Sequence, residues 1–141
     1  GPLPAVLPDG AELWLDGMHN PHCAAAVART LADWRAADAT RRAHWLVIGA
    51  KSNKDLDGIL AAFAPVADGL YGVAIPEDDN CFAPTDIAAI GTRLGLPSAA
   101  AAGVEAALVA IRAASDPARP PPRILICGSL YLAGAVLAKN G

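Results

Sequence analysis

The sequence predicts an α/β domain built on a doubly wound, mostly parallel sheet with helices on both faces. Three observations lead there. Segments of strand length alternate with segments of helical periodicity along the chain. Residues 43–49 form a continuous apolar run, as expected of a strand covered on both faces. The spacing between successive strands suits right-handed crossovers, each carrying a helix.

Glu-Leu-Trp-Leu-Asp at residues 12–16 reads as a short first strand, broken by Gly17. Asn20 is a good N-cap and Pro21 suits the first helical position, where its missing N–H costs nothing. Ala24, Val27, Leu31 and Trp34 then recur at helical steps as an apolar stripe, with Arg29, Asp33 and Arg35 largely off it. After the strand at 43–49, Asp55 is placed to cap a helix whose stripe is Leu56, Ile59, Leu60 and Phe63. Residues 69–75 read as a strand. Pro84-Thr85-Asp86 leads into a helix with Ile87, Ile90 and Leu94 on one side. A weak strand is expected at 98–101, and a helix follows with Val104, Ala107, Leu108 and Ile111 inward. The proline-rich segment 116–122 must be a loop, and residues 123–127 are the last strand. Gly128-Ser129 then turns the chain into a final helix over about 130–138, with Ser129 as its cap.

At 141 residues one domain is the default. The opening Gly1-Pro2 resembles the remnant of a cleaved tag, so residues 1–10 are expected to be a leader and 11–141 a single domain within a larger protein. A net charge of -3, with Arg41-Arg42 an isolated basic pair, argues against nucleic acid as a partner. Residues 99–114 are the most apolar stretch, but Glu105 and Arg112 interrupt it well short of the ~18 uncharged residues a spanning helix needs. Cys23, Cys81 and Cys127 are odd in number and widely spaced, fitting neither a disulfide framework nor a zinc knuckle. That points to a reducing, cytoplasmic setting.

In such a sheet ligands bind where strands end. Asp16-Gly17-Met18-His19-Asn20-Pro21 puts a carboxylate at the end of the first strand and an imidazole before a helix start. Asp16 could accept hydrogen bonds from ribose hydroxyls, or Asp16 and His19 could merely satisfy a tight turn. Cys127-Gly128-Ser129-Leu130-Tyr131 offers a hydroxyl and N–H groups suited to a carboxylate, or Ser129 is an N-cap alone. Residues 49–55 share a Gly and Lys-Ser with a phosphate loop but lack its full pattern; Lys51 or Lys54 could reach a phosphate or be solvated. His19, His22 and Cys23 lack a second ligand group, so no metal site is expected. Glu77-Asp78-Asp79 reads as a solvated acidic loop, with magnesium binding a minor alternative.

Taken together, Leu15-Asp16-Gly17-Met18-His19-Asn20-Pro21-His22, Cys127-Gly128-Ser129-Leu130-Tyr131-Leu132 and the Gly-x-x-x-x-Lys-Asp at 49–55 closely resemble the carboxy-terminal domain of folylpolyglutamate/dihydrofolate synthases, within the Mur ligase superfamily. The resemblance covers the chain after residue 10. It implies a Rossmann-like domain of an ATP-dependent ligase that adds L-glutamate to dihydropteroate or folates through an acyl phosphate. Asp16 and His19 are then expected to bind ATP, His19, Ser129 and Tyr131 the glutamate, and Lys54 is a candidate phosphate contact. The phosphate loop and Mg2+ ligands are expected in an amino-terminal ATPase domain of the same chain, so this domain alone should be inactive, and a monomer is expected. Met18 and residues 50–53 depart from the family pattern and bear on substrate preference. A Mur-type peptide ligase shares the fold and the acyl phosphate but should show another motif in place of Cys-Gly-Ser-Leu-Tyr. A dinucleotide-binding module would want GxGxxG after the first strand, and a phosphoacceptor signalling module a cluster of acids with a lysine at the last strand's end.

Overall fold

The computed structural model describes residues 12–16, as backbone, and 20–128. The turn at 17–19 and the final helix expected over about 130–138 lie outside them. Five strands, β1 (Glu12–Asp16), β2 (His44–Gly49), β3 (Gly69–Gly72), β4 (Ser98–Ala100) and β5 (Arg123–Gly128), form one sheet. Their order is β1-β5-β2-β3-β4, and every neighbouring pair is parallel. Four helices connect them: α1 (Pro21–Ala37), α2 (Leu56–Phe63), α3 (Pro84–Arg93) and α4 (Val104–Ala114).

The pleat divides the core. Leu46, Ile48, Leu70 and Leu125 point to one face, where they bury Ala24 and Leu31 of α1, Leu56, Ile59, Leu60 and Phe63 of α2, and Ile87 of α3. Val47, Ile124 and Ile126 point to the other, against Ala107, Leu108 and Ile111 of α4. The doubly wound arrangement is therefore present as the sequence predicts. The N-caps are also as read: Asn20 accepts from the Cys23 N–H at 2.9 Å, and Asp55 from the Gly58 N–H at 3.0 Å.

Two elements differ from the sequence reading. β3 ends at Gly72 rather than at residue 75. Val73 still donates to the Ile48 carbonyl at 2.9 Å, but beyond it β2's continuation pairs with a returning loop, through the antiparallel bridge of Lys51 with Cys81. Val73 and Ile75 stay buried without extending the ladder. α3 takes Pro84 as its first residue instead of following it, because the fixed proline φ already suits a first turn.

The larger surprise is polar. Arg35, which periodicity puts off the apolar stripe, is mostly buried, and the amino end of the sheet gathers residues far apart in sequence. Arg123 clamps Asp38 with both terminal nitrogens at 2.6 and 2.8 Å, and its guanidinium lies 5.5 Å from the Trp34 ring centroid. Asp68 accepts from the His44 N–H (2.7 Å), Arg35 (2.6 Å) and Arg41 (2.5 Å). Arg42 donates to the Pro121 carbonyl at 2.7 Å. The basic pair at 41–42 is thus part of a larger group of arginines, each bonded to a carboxylate or a carbonyl.

His44 is 1% exposed. Its Nδ1 lies 2.9 Å from the Val66 carbonyl and its Nε2 3.2 Å from the Arg123 guanidinium, so Nδ1 carries the proton and Nε2 accepts. Burial, followed by the charges of Arg35 and Arg123, holds its pKa below the ordinary 6.5 despite the Val66 carbonyl. Burial would raise the Asp68 carboxyl, but its three donors outweigh that and keep it below 3.8. Arg123 does the same for Asp38.

Because the folded chain keeps His44 neutral, the unfolded chain binds more protons just below the ordinary histidine value, and stability there is lost as pH falls. Asp38 and Asp68, depressed in the fold, add a second loss as pH drops through and below the ordinary carboxylate range. The urea midpoint of the chain should therefore fall between about pH 7 and pH 5, and His44→Gln should flatten that segment while leaving the acidic one. A wild-type midpoint constant over the upper window would overturn the assignment of a buried neutral imidazole.

Candidate functional site

The carboxyl edge of a parallel sheet is where strand exits and helix starts leave backbone groups available for a ligand. Here the register brings three exits together. Asp16 of β1 pairs with Cys127 of β5, Cys127 with Ile48 of β2, and Gly128 with Gly49. Neighbouring strands lie about 4.8 Å apart, so Asp16, the residue just before Ser129, and the start of loop 50–55 stand side by side. The start of α1, capped by Asn20, follows the end of β1 by only a few residues in sequence. His19, Ser129 and Tyr131 lie outside the described residues, and Asp16 is placed by its backbone.

Gly128 has φ +124, in the region that side chains rarely adopt. A Cβ there would overlap the Gly49 carbonyl oxygen outright. Both conditions require glycine: the chain must leave β5 with a positive φ while its backbone lies against that of β2. The glycine of the Cys-Gly-Ser segment therefore fixes how β5 ends against β2.

The exit of β2 carries the lysines. Lys54 is half-buried in the turn before α2, its N–H donating to the Lys51 carbonyl at 3.1 Å, and among the described residues no carboxylate pairs with it. Lys51 departs from the expectation of a solvated or phosphate-seeking lysine: its ammonium sits 2.7 Å from Asp78. The same contact corrects the reading of Glu77-Asp78-Asp79 as a wholly solvated run. Glu77 and Asp79 are exposed, but the Asp78 side chain is only 10% exposed. Lys51, and then the Asn80 N–H at 2.7 Å, hold the Asp78 carboxyl below its ordinary value. A pairing between two loops leaves no local signature in either segment. Among the described residues no three His, Cys, Asp or Glu side chains are grouped to hold a metal, and His22 and Cys23 are exposed on the first turn of α1.

A family model described as the dihydrofolate synthetase C-terminal domain matches residues 6–139. Among solved structures, a Mycobacterium tuberculosis folylpolyglutamate synthase complexed with ADP is similar, with TM-score 0.75 and 28% identity over 92% of this chain and 30% of that one. A bifunctional folylpolyglutamate synthase/dihydrofolate synthase from Yersinia pestis, complexed with AMPPNP and Mn ion, gives 0.69 and 26% over 91% and 28%. A Helicobacter pylori folylpolyglutamate synthetase gives 0.66 over 92% and 29%, and at 19% identity bears on the fold alone. The chain thus spans about three-tenths of the length of these structures. No curated protein matches it significantly in sequence.

The Gly128–Gly49 contact makes a sharp prediction. Gly128→Ala should lower the unfolding free energy of the chain by about 2–4 kcal/mol, combining a strained φ with a backbone overlap. Urea unfolding measures it, and an unchanged midpoint would mean that the two strand ends are free to separate.

Proposed function

The chain belongs to the family of dihydrofolate synthetase C-terminal domains, and on that premise we propose that it is the carboxy-terminal domain of an ATP-dependent ligase that adds L-glutamate to dihydropteroate or a folate. The observation that carries this reading is the convergence of three strand exits, with β1, β5 and β2 ending side by side at Asp16, Gly128 and Gly49.

In the proposed reaction the γ-phosphoryl group of ATP is transferred to a carboxylate oxygen, giving an acyl phosphate and ADP. The glutamate amine attacks the acyl carbon, the C–N bond forms, the C–O bond to phosphate breaks, and phosphate leaves with the electron pair while the amine gives up its proton. Asp16 accepts hydrogen bonds from the ATP ribose. His19 stands beside the nucleotide or the incoming amine. Ser129 and Tyr131 hold the glutamate, using N–H groups and hydroxyls at a helix start, where a carboxylate is favoured. Lys54 contributes charge to a phosphate.

The phosphate loop and the Mg2+ ligands are assigned to an amino-terminal ATPase domain of the same chain, which is the partner this edge of the sheet would face. Mg2+ neutralises charge on the transferring phosphoryl group when bound. Closure of the two domains would exclude water that otherwise hydrolyses the acyl phosphate. The full-length protein is proposed to act as a cytoplasmic monomer. Among the described residues no helix is long and apolar enough to cross a membrane.

The test is ATP-dependent incorporation of labelled glutamate into dihydropteroate and into tetrahydrofolate. The full-length protein should incorporate label and the 141-residue chain alone should not. Ser129→Ala in the full-length protein should raise the glutamate KM by about tenfold, with a smaller effect on the ATP KM. Failure with both acceptors would sink the folate reading and favour a Mur-type peptide ligase, which shares the fold.

A further inference from the structure

Lys51 and Asp78 are not used in the proposed chemistry, yet they form the best-buried ion pair described at the functional edge of the sheet. Their surroundings are built rather than incidental. Past β2, residues 50–52 pair with the returning limb of loop 73–83: Phe82 donates to the Ala50 carbonyl at 2.9 Å and Ser52 to the Asn80 carbonyl at 2.8 Å, either side of the antiparallel Lys51–Cys81 bridge. The Lys51 ammonium then closes on one Asp78 oxygen at 2.7 Å, and the other oxygen accepts from the Asn80 N–H at 2.7 Å. The Cys81 thiol donates to the Asp78 carbonyl at 3.4 Å.

The clasp has a direct line to Lys54. The Lys51 carbonyl accepts from the Lys54 N–H at 3.1 Å, the Lys54 carbonyl from the Leu56 N–H at 3.0 Å, and Asp55 caps α2. The backbone of Lys54 is therefore held between a clasped residue and a helix start. A lysine ammonium on four flexible methylenes loses much rotamer freedom when it binds an anion, so a fixed base reduces what remains to be ordered.

We propose that Lys51 and Asp78 are positioning residues that fix the turn carrying Lys54, so that Lys54 meets a phosphate of the nucleotide. Neither touches substrate. The inference rests on the assignment of Lys54 above and deepens it, and it explains why two lysines three residues apart have different fates. Lys51 is committed to protein structure, while Lys54 keeps its charge available at the edge.

The experiment uses the full-length protein with ATP, L-glutamate and the acceptor it uses. Lys54→Ala is expected to raise the ATP KM by about tenfold. Lys51→Met and the isosteric Asp78→Asn should each raise the ATP KM by about three- to fivefold, with kcat and the glutamate KM within about twofold of wild type. Lys51→Arg should restore most of the loss. In the double variant, Lys51→Met with Lys54→Ala should be no worse than Lys54→Ala alone, since both act through one ammonium. A merely structural pair would lower thermal stability and leave this KM split flat. ATP KM values at wild type for both clasp variants, while Lys54→Ala is impaired, would overturn the positioning role and spare Lys54. Additive losses in the double variant would overturn it by giving Lys51 a contact of its own. An unaffected Lys54→Ala would overturn the Lys54 assignment and the clasp with it.

Discussion

The insertion of β5 between β1 and β2 is the constraint on which the rest of the structure depends. β5 is the last described strand in sequence but lies inside the sheet, and all six of its residues are buried. Among the described residues β5 is the strand that β1 pairs with, so β1 joins this sheet only once residues 123–128 are in place. Such pairing closes a loop of most of the chain before it is rewarded. The reward is full burial of Ile124, Ile126 and Cys127, each within 2% of complete, on both faces at once. For a large aliphatic side chain that is about 1.5–3 kcal/mol.

The two ends of β5 are held by opposite means. At the amino end Arg123 is tied to Asp38 and His44, and Asp68 binds His44, Arg35 and Arg41 into the same group. Taking these charges out of water is costly, and their attraction roughly offsets that cost, so the group contributes more to register than to net stability. It fixes the last turn of α1 and the first residues of β2 and β5, and the loop into β3, at one level. At the carboxyl end of β5 the contact is between backbones: Gly128 lies against the Gly49 carbonyl, where a side chain would not fit. The largest described group of ion pairs lies at the amino end, while at the carboxyl edge a glycine holds the end of β5 and the Lys51–Asp78 pair holds the neighbouring loop.

Most elements were legible because their causes are local. Asn20 and Asp55 cap helices through backbone groups three residues on, and the stripe of α2 is complete within eight residues. Asp16 was legible as the end of a strand and Lys54 as a position in the loop that follows one. What escaped has partners far along the chain: Arg123 and Asp38 are 85 residues apart, and Arg35 and Asp68 33. Periodicity classed Arg35 by its helix face and did not register the Asp68 carboxylate waiting there. β3 was read too long for a related reason. Val73 and Ile75 have strand-like burial, but past the Val73–Ile48 bond the partner the ladder would need is taken by the loop at 80–82. Hydrophobicity records burial and does not say which backbone group a residue bonds.

The distinction between Lys51 and Lys54 shows where the argument from sequence to function has to pass through geometry. Both follow the same strand, both have a polar residue next to them, and no local rule ranks them. Their partners do. A lysine with a carboxylate at 2.7 Å that is itself 10% exposed is held by an interaction that any approaching anion would have to break. A half-buried lysine without a described carboxylate needs no such exchange. A site that shares its ligand between domains places its groups correctly only if each domain's edge is rigid to about 0.5 Å before they meet. On that view the glycine contact and the ion-pair clasp are one device applied to adjacent strand exits. One fixes the course of a backbone and the other the base of a charged side chain.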